Sequence, residues 1–355
     1  MTTSGHAVAA CDPRYARDAT PPRIALVGAG MFNGILSRQA LKKGWPVTAV
    51  LNRAGEKIGK DWGPMTGLKQ DISLAVQDFA AVDPDTLDAD IAVVAIGDRL
   101  SENLPVYRKL LGAGIDILCL GCESYFPHAS NRDAAQEIDA LAKANGATFT
   151  GTGTWDFSRI WPGIVMAGFT MSLERLHHAS VTDFGREATY PKFVGIGLTP
   201  KEFRAALGTT VDVAQTASYH LVLQCVLHAL GYDIADVSQD TEPVVLDHPI
   251  YCKGWDKWID PGLSTGLRKH ISVSTRQGVV ATAQIDLRLV EPNERESMTW
   301  SIDGNPGVDF AVERRNNTAI ATGACMLNRI PDILAAPPGI QTIMQLGPLK
   351  STSLI

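Results

Sequence analysis

The stretch Arg23-Ile-Ala-Leu-Val-Gly28-Ala-Gly30-Met31-Phe32-Asn33-Gly34 constrains this chain more than any other. A short apolar run, Ile24 to Val27, meets two glycines spaced as G-x-G, and Met31 to Lys42 then reads as the opening of a helix. Strand, tight turn and helix N-terminus in that order form an anion site. The free N–H groups of the first helical turn attract a pyrophosphate, and glycine lets it come close. Gly28, Gly30, Met31 and Phe32 are therefore candidate dinucleotide contacts. The third glycine of G-x-G-x-x-G is displaced, because position 33 is Asn and Gly34 comes one residue late. A loop of this kind gains meaning only from the strands and helices downstream of it.

From Arg23 to about Thr152 the pattern of that first unit repeats. Strands are expected at Ile24–Val27, Val47–Leu51, Ile91–Ile96, Ile115–Leu120 and Ala147–Thr150, and helices at Phe32–Lys43, Ser101–Gly112 and Ala134–Asn145. Alternation of this kind predicts an α/β fold, a Rossmann-type doubly wound parallel sheet. The runs Ile91–Ile96 and Ile115–Leu120 are nearly all apolar, as strands covered on both faces should be. After about Asp156 the texture changes. A helix near Arg159–Thr170, a strand Leu176–Asp183 and helices near Pro200–Leu207 and Val211–Leu230 precede long alternating strands. Residues 270–289 read as a hairpin turning at Gln277-Gly278, and a second turn separates Thr299–Ile302 from Val308–Glu313. This predicts an α+β second domain with a mainly antiparallel sheet. The expected division is a disordered tail over 1–21, a dinucleotide-binding domain over 22–155 and a substrate and dimerisation domain over 156–316. A closing helix and tail over 317–355 would pack back on the first domain.

Composition removes several function classes. The 355 residues carry a formal net charge of −6 and show no basic cluster, which argues against a nucleic-acid partner. Apolar runs such as Ile164–Phe169 are far shorter than the ~20 residues that span a bilayer, so no membrane partner is expected. Six scattered cysteines, several in apolar runs, fit a reduced cytoplasmic chain. Cys119-x-x-Cys122 lacks a second pair to complete a metal site, so no metal is expected.

Three strand ends carry the chemistry. The second strand ends at Asn52-Arg53, where an NAD-specific enzyme usually places an acidic residue on the ribose. Asn removes that carboxylate and Arg can pair with a 2′-phosphate, so NADP(H) is the preferred cofactor, with NAD(H) also usable. A plain solvated Arg is the other reading. The fourth strand ends at Gly97-Asp98, where Asp98 is either a ligand or a helix cap. The fifth ends at Leu120-Gly-Cys122-Glu123, which sets Cys122 and Glu123 at the same carboxyl edge. A carboxylate there is partly desolvated and its pKa rises, which suits proton shuttling; a loop Glu in solvent or in a salt bridge is the plainer alternative.

Several stretches resemble the native NAD(P)H-dependent amine dehydrogenases and their relatives, the 2,4-diaminopentanoate dehydrogenases, which share a dihydrodipicolinate-reductase-like N-terminal domain. Glu56-Lys57-Ile-Gly59-Lys-Asp61-Trp-Gly63 is similar to that family's E-K-x-G-x-D-x-G segment, and Glu123-Ser-Tyr-Phe-Pro127 to its Glu–x–x–x–Pro. Thr150-Gly-Thr-Gly153, residues 194–203 and residues 328–339 resemble later family segments, so the likeness covers about residues 23–345. The resemblance implies that Glu123 is the catalytic acid/base. It implies reductive amination of a ketone or aldehyde with ammonia, and amine oxidation in reverse. Diamine or amino-acid dehydrogenation, imine or carbonyl reduction, and a non-catalytic dinucleotide sensor are the alternatives. The substrate would lie between the domains, against Tyr125, Trp155, Asp156, His178 and Tyr190. No arginine is placed to clamp a substrate carboxylate, which favours a simple amine. By analogy with such folds, a homodimer is expected.

Overall fold

The computed structural model describes residues 20–207, 218–313 and 318–351. Most of the expected tail, and residues 211–217 of the helix expected over Val211–Leu230, lie outside them. In chain order the main elements begin with β1 (Ile24–Val27), α1 (Met31–Lys42), β2 (Val47–Asn52), β3 (Val76–Asp78), β4 (Ile91–Val94), α2 (Leu100–Gly112), β5 (Asp116–Cys119), α3 (Arg132–Ala144) and β6 (Thr148–Gly151). They continue with α4 (Trp161–Ala167), β7 (Ser172–Asp183), α5 (Pro200–Leu207), α6 (His220–Ala229) and β8 (Ile234–Val245). Next come β9 (Ile250–Cys252), β10 (Lys257–Ile259), β11 (Ser264–Thr275), β12 (Val280–Arg288), β13 (Ser297–Asn305) and β14 (Val308–Glu313), and the chain closes with α7 (Thr318–Leu334) and β15 (Gly339–Ile340). Two compact units result. Of the described residues, one takes 20–124, 131–152 and 322–351, the other 125–130, 153–207, 218–313 and 318–321.

The first unit is a seven-stranded parallel sheet in the order β15-β6-β5-β4-β1-β2-β3. Successive side chains of a strand point to opposite faces, and here both faces are dry. Ala25, Val27, Ala92, Val94 and Ile117 pack under α2 and α3 through Leu110, Leu111 and Ile138. Ile24, Leu26, Val93 and Leu118 pack under α1 and α7 through Leu36, Met326, Ile330 and Ile333. Each fully buried Leu or Ile contributes roughly 1.5–3 kcal/mol, which explains the unbroken apolar runs. The strand order reverses between β1 and β4, and ligands of open α/β sheets bind at such a switch point, beyond the carboxyl ends.

The second unit holds a six-stranded sheet ordered β14-β13-β7-β12-β11-β8, antiparallel except for the β12–β7 pair. The β9–β10 pair forms a separate ribbon. α4 and α6 lie on one face, and Gly163 of α4 comes so close to Trp300 that a Cβ there would sit 2.7 Å from its indole. The hairpin turns at Gln277-Gly278 as expected, with Gly278 at φ +90°. The edge strand β8 carries no apolar alternation in sequence. It is blunted by Asp236, Asp240, Glu242 and Pro243, as exposed edges often are. The single helix expected over Arg159–Thr170 is instead a π-helical turn, Asp156–Ile160, followed by α4. Pro162 has no N–H to continue the earlier register and starts α4 afresh in its first turn.

Candidate active site

The glycine loop is held from three sides. Gly28 adopts φ +101°, and a Cβ on it would lie 2.5 Å from the Ala95 carbonyl oxygen at the end of β4, so only glycine fits. Gly30 caps α1 with no side-chain cap, the first turn carries no acidic residue, and among the described residues nothing lies within 4 Å of where its Cβ would be. These features leave backbone donors and open space for a phosphate, so the residues fit a dinucleotide. Met31 and Phe32, half-buried, begin the helix.

Asn33 explains the displaced fingerprint. Its side chain is 1% exposed, and Nδ2 donates to the carbonyl oxygens of Val27 (3.0 Å) and Gly28 (2.8 Å). An amide thus ties strand to helix where other chains bring the two together on a third glycine. Gly34 has no such task, since a Cβ there would meet Thr66 at an ordinary 3.8 Å. Restoring the fingerprint with Asn33→Gly is therefore expected to destabilise the chain by about 2–4 kcal/mol, two buried hydrogen bonds and helix propensity together. A fall in the urea midpoint at unchanged slope would be the readout; an unchanged midpoint would refute it.

At the end of β2, Asn52 is engaged with backbone rather than displayed. Its Oδ1 accepts the Ala29 N–H (3.1 Å) and its Nδ2 donates to the Arg53 carbonyl (3.0 Å). Lys57 Nζ donates to the Ala29 carbonyl at 2.6 Å. Arg53 is exposed just beyond this strand end, and the approach of Lys57 to the glycine loop is one that spacing alone does not reveal.

The ends of β4 and β5 are locked together. Gly121 sits so close to Gly97 that a Cβ would fall 2.6 Å from its carbonyl oxygen. Asp98 does not cap α2. Its Oδ1 accepts the Cys122 N–H (3.1 Å), and its carbonyl accepts the Glu123 N–H (3.2 Å). The cap comes instead from Glu123, whose Oε2 accepts the Leu100 N–H at 2.8 Å. Glu123 is half-buried in the turn Cys122–Tyr125. Desolvation pushes its pKa up, aided by Asp98 and Glu102, against the Leu100 N–H and Arg99. A carboxyl that keeps its proton closer to neutrality can both give and take one.

The other expected residues lie in the second unit. Tyr125 and Trp155 are buried with ring centroids 5.2 Å apart, and Trp155 meets Tyr219 at 4.7 Å. Tyr190 packs on Phe184 at 4.8 Å, and burial lifts its phenol, with Glu187 and Tyr219 adding to the shift. Asp156 is fully buried at the start of the π-helical turn. His178 stands apart from the aromatic group. Its ring is fully buried over Trp300, Nδ1 donates to the Thr299 carbonyl at 2.9 Å, and burial lowers its pKa to about 3. It is neutral at any physiological pH.

Two members of this unit were not foreseen. Tyr219 has no distinguishing local pattern. Arg159 follows Trp155 by four residues, a spacing that could have suggested their stacking, and its guanidinium lies 5.9 Å from the Trp155 ring and 5.4 Å from Tyr219. At 2% exposure it belongs to the packing behind those rings. Cys119 and Cys122 are not joined in a disulfide, and among the described residues no group of three or more His, Cys, Asp or Glu could hold a metal ion. No helix of the described residues is long and apolar enough to cross a membrane.

Residues 163–353 match the family model of the 2,4-diaminopentanoate dehydrogenase C-terminal domain. The chain is 23% identical over 353 residues to a 2,4-diaminopentanoate dehydrogenase of Acetoanaerobium sticklandii, covering 91% of this chain and 93% of that protein. It is similar to the structure of an amine dehydrogenase from Mycobacterium smegmatis, with a TM-score of 0.84 and 25% identity over 94% of this chain and 98% of that one. An oxidoreductase from Agrobacterium radiobacter in complex with NAD+, L-tartaric acid and magnesium shares the fold, at a TM-score of 0.56 and 12% identity over 94% of this chain and 91% of that one.

Proposed function

Since this chain belongs to the 2,4-diaminopentanoate dehydrogenase family and is an NAD(P)-dependent oxidoreductase acting on a C–N bond, we propose that it aminates a ketone or aldehyde reductively with ammonia and oxidises the amine in reverse. Glu123 is the acid/base of this reading. The observation that carries it is a half-buried carboxylate, held at the carboxyl ends of β4 and β5 with its pKa pushed up. Ammonia adds to the carbonyl, Glu123 moves the protons that let water leave, and its carboxylate then stabilises the iminium ion. The nicotinamide dinucleotide supplies the hydride. Gly28, Gly30, Met31, Phe32, Asn52, Arg53, Gly97, Asp98 and Cys122 would hold the dinucleotide. Tyr125, Trp155 and Tyr190 would contact substrate, while Asp156 and His178 are both fully buried.

NADPH is the preferred cofactor in this proposal. Arg53 is exposed beyond β2, where Asn52 stands in place of the usual acidic residue, and Lys57 adds a second cation nearby. Arg53→Ser is expected to raise KM for NADPH about tenfold, the worth of one charge-assisted hydrogen bond, and to leave KM for NADH unchanged. An equal rise for both cofactors would remove the assignment.

Simple amines are favoured over α-amino acids, because the guanidinium beside the aromatic group is stacked and buried. A homodimer joined through the open face of the six-stranded sheet completes the reading, in a cytoplasmic enzyme. That face presents half-exposed Ala179, Ser272, Thr282 and Gln284 beside exposed His177 and His270. The test of function is NADPH consumption with cyclohexanone or a short aldehyde, with and without ammonia. Turnover that needs ammonia supports amination. Equal turnover without it would make the enzyme a carbonyl reductase.

A further inference from the structure

The Glu123 turn rests on a line of buried polar groups that the reaction itself does not use. Asn103, on the inward face of α2, is 4% exposed, and its Nδ2 donates to the Gly97 carbonyl (2.9 Å) and to the Tyr107 hydroxyl (3.2 Å). Tyr107, fully buried one turn further on, bonds through that hydroxyl to Cys119 Sγ at 3.0 Å. The same sulfur accepts the Gly121 N–H at 3.3 Å. The line therefore runs from the loop after β4, through two side chains of α2, to the turn after β5, two residues before Glu123. α2 is also the helix whose N-terminal N–H the Glu123 carboxylate accepts. One helix thus holds the carboxylate at its end and keys both flanking loops from its side.

We propose that Asn103 and Tyr107 are positioning residues for Glu123. This rests on the reading of Glu123 as the acid/base. Tyr107 touches neither substrate nor cofactor in this role; it acts through Cys119 and the Gly121 backbone. Buried polar networks rigidify what they hold when every member is satisfied, and small displacements of a reacting group cost large factors in rate. Loss of the hydroxyl would free the Gly121 turn to shift while the core stays filled. In Tyr107→Phe the ring still packs edge-on against Phe149, at a centroid distance of 5.0 Å.

The experiment measures kcat, and the dissociation constant of NADPH by fluorescence, for Tyr107→Phe and Asn103→Ala, each alone and combined with Glu123→Ala. The expected result is a fall in kcat of about tenfold in each single variant, with NADPH binding unchanged in Tyr107→Phe. On the Glu123→Ala background neither variant should lower the residual rate further, because coupled residues are not additive. A merely structural role predicts the same fall on both backgrounds, and that result would overturn the proposal. Wild-type kcat in both single variants would overturn it too, while a severe loss in Glu123→Ala left the acid/base reading intact. A wild-type rate in Glu123→Ala would instead remove that reading and the positioning role with it.

Discussion

Glu123→Gln is expected to lower kcat for reductive amination by about a hundredfold to ten-thousandfold, the usual contribution of a positioned general acid/base. The substitution is chosen because its amide oxygen still accepts the Leu100 N–H, now at 2.8 Å from a carboxylate oxygen, so the start of α2 keeps its cap. What disappears is the group that exchanges a proton. KM for the cofactor should barely move. Stability supplies an independent sign. The folded chain raises the pKa of this carboxyl, chiefly by desolvation, so the charged form is disfavoured relative to the unfolded chain. That cost is absent in acid below the ordinary carboxyl value and grows as pH rises through the elevated one. Relative to wild type, the glutamine variant should therefore gain melting temperature on going from acid to neutral pH. Rate loss together with this gain is the signature of a desolvated functional carboxylate; a variant with full activity would end the assignment.

Gly28→Ala is expected to destabilise the chain by about 2–4 kcal/mol and to weaken NADPH binding by about a hundredfold or more. Two costs combine. At φ +101° a side chain is strained, and the new methyl would stand 2.5 Å from the Ala95 oxygen and 2.9 Å from Ile96 Cγ2. β1 and β4 would have to part where the sheet order reverses. Gly30→Ala is the instructive contrast. Among the described residues nothing lies within 4 Å of its Cβ position, so the fold should tolerate it, while the methyl occupies space that a phosphate needs. Urea midpoints and NADPH titrations on the two variants separate the effects. Equal stability loss in both would contradict the geometry.

The legible parts of this protein were those set by local rules. The strand before Gly28 and the helix after it lie within a residue of the sequence reading, because a β-branched run and a glycine pair act over a few residues. The hairpin at Gln277-Gly278 is legible for the same reason. β8 was missed because an acidic edge strand has no apolar period to detect. The π-helical turn was missed because the run around Pro162 reads as one helix, although that proline starts a new register. At the site, spacing placed Glu123 at a strand end but could not foresee its bond to Leu100, 23 residues earlier. The burial of His178 over Trp300 likewise needs two strands that meet only in the folded sheet.

The sequence alone determined the parallel sheet, the glycine turn between β1 and α1 and the strand ends that follow it. Each follows from periodicities of two or 3.6 residues and from glycine's lack of a Cβ. Only the tertiary structure decided that Asn33 replaces a missing glycine as the tie between strand and helix, that Asp98 holds a turn where a helix cap was one reading, and that Glu123 is the cap. Those roles are hydrogen bonds between segments distant in sequence. A buried donor or acceptor must find its partner wherever the fold brings one, and that choice is written in three dimensions.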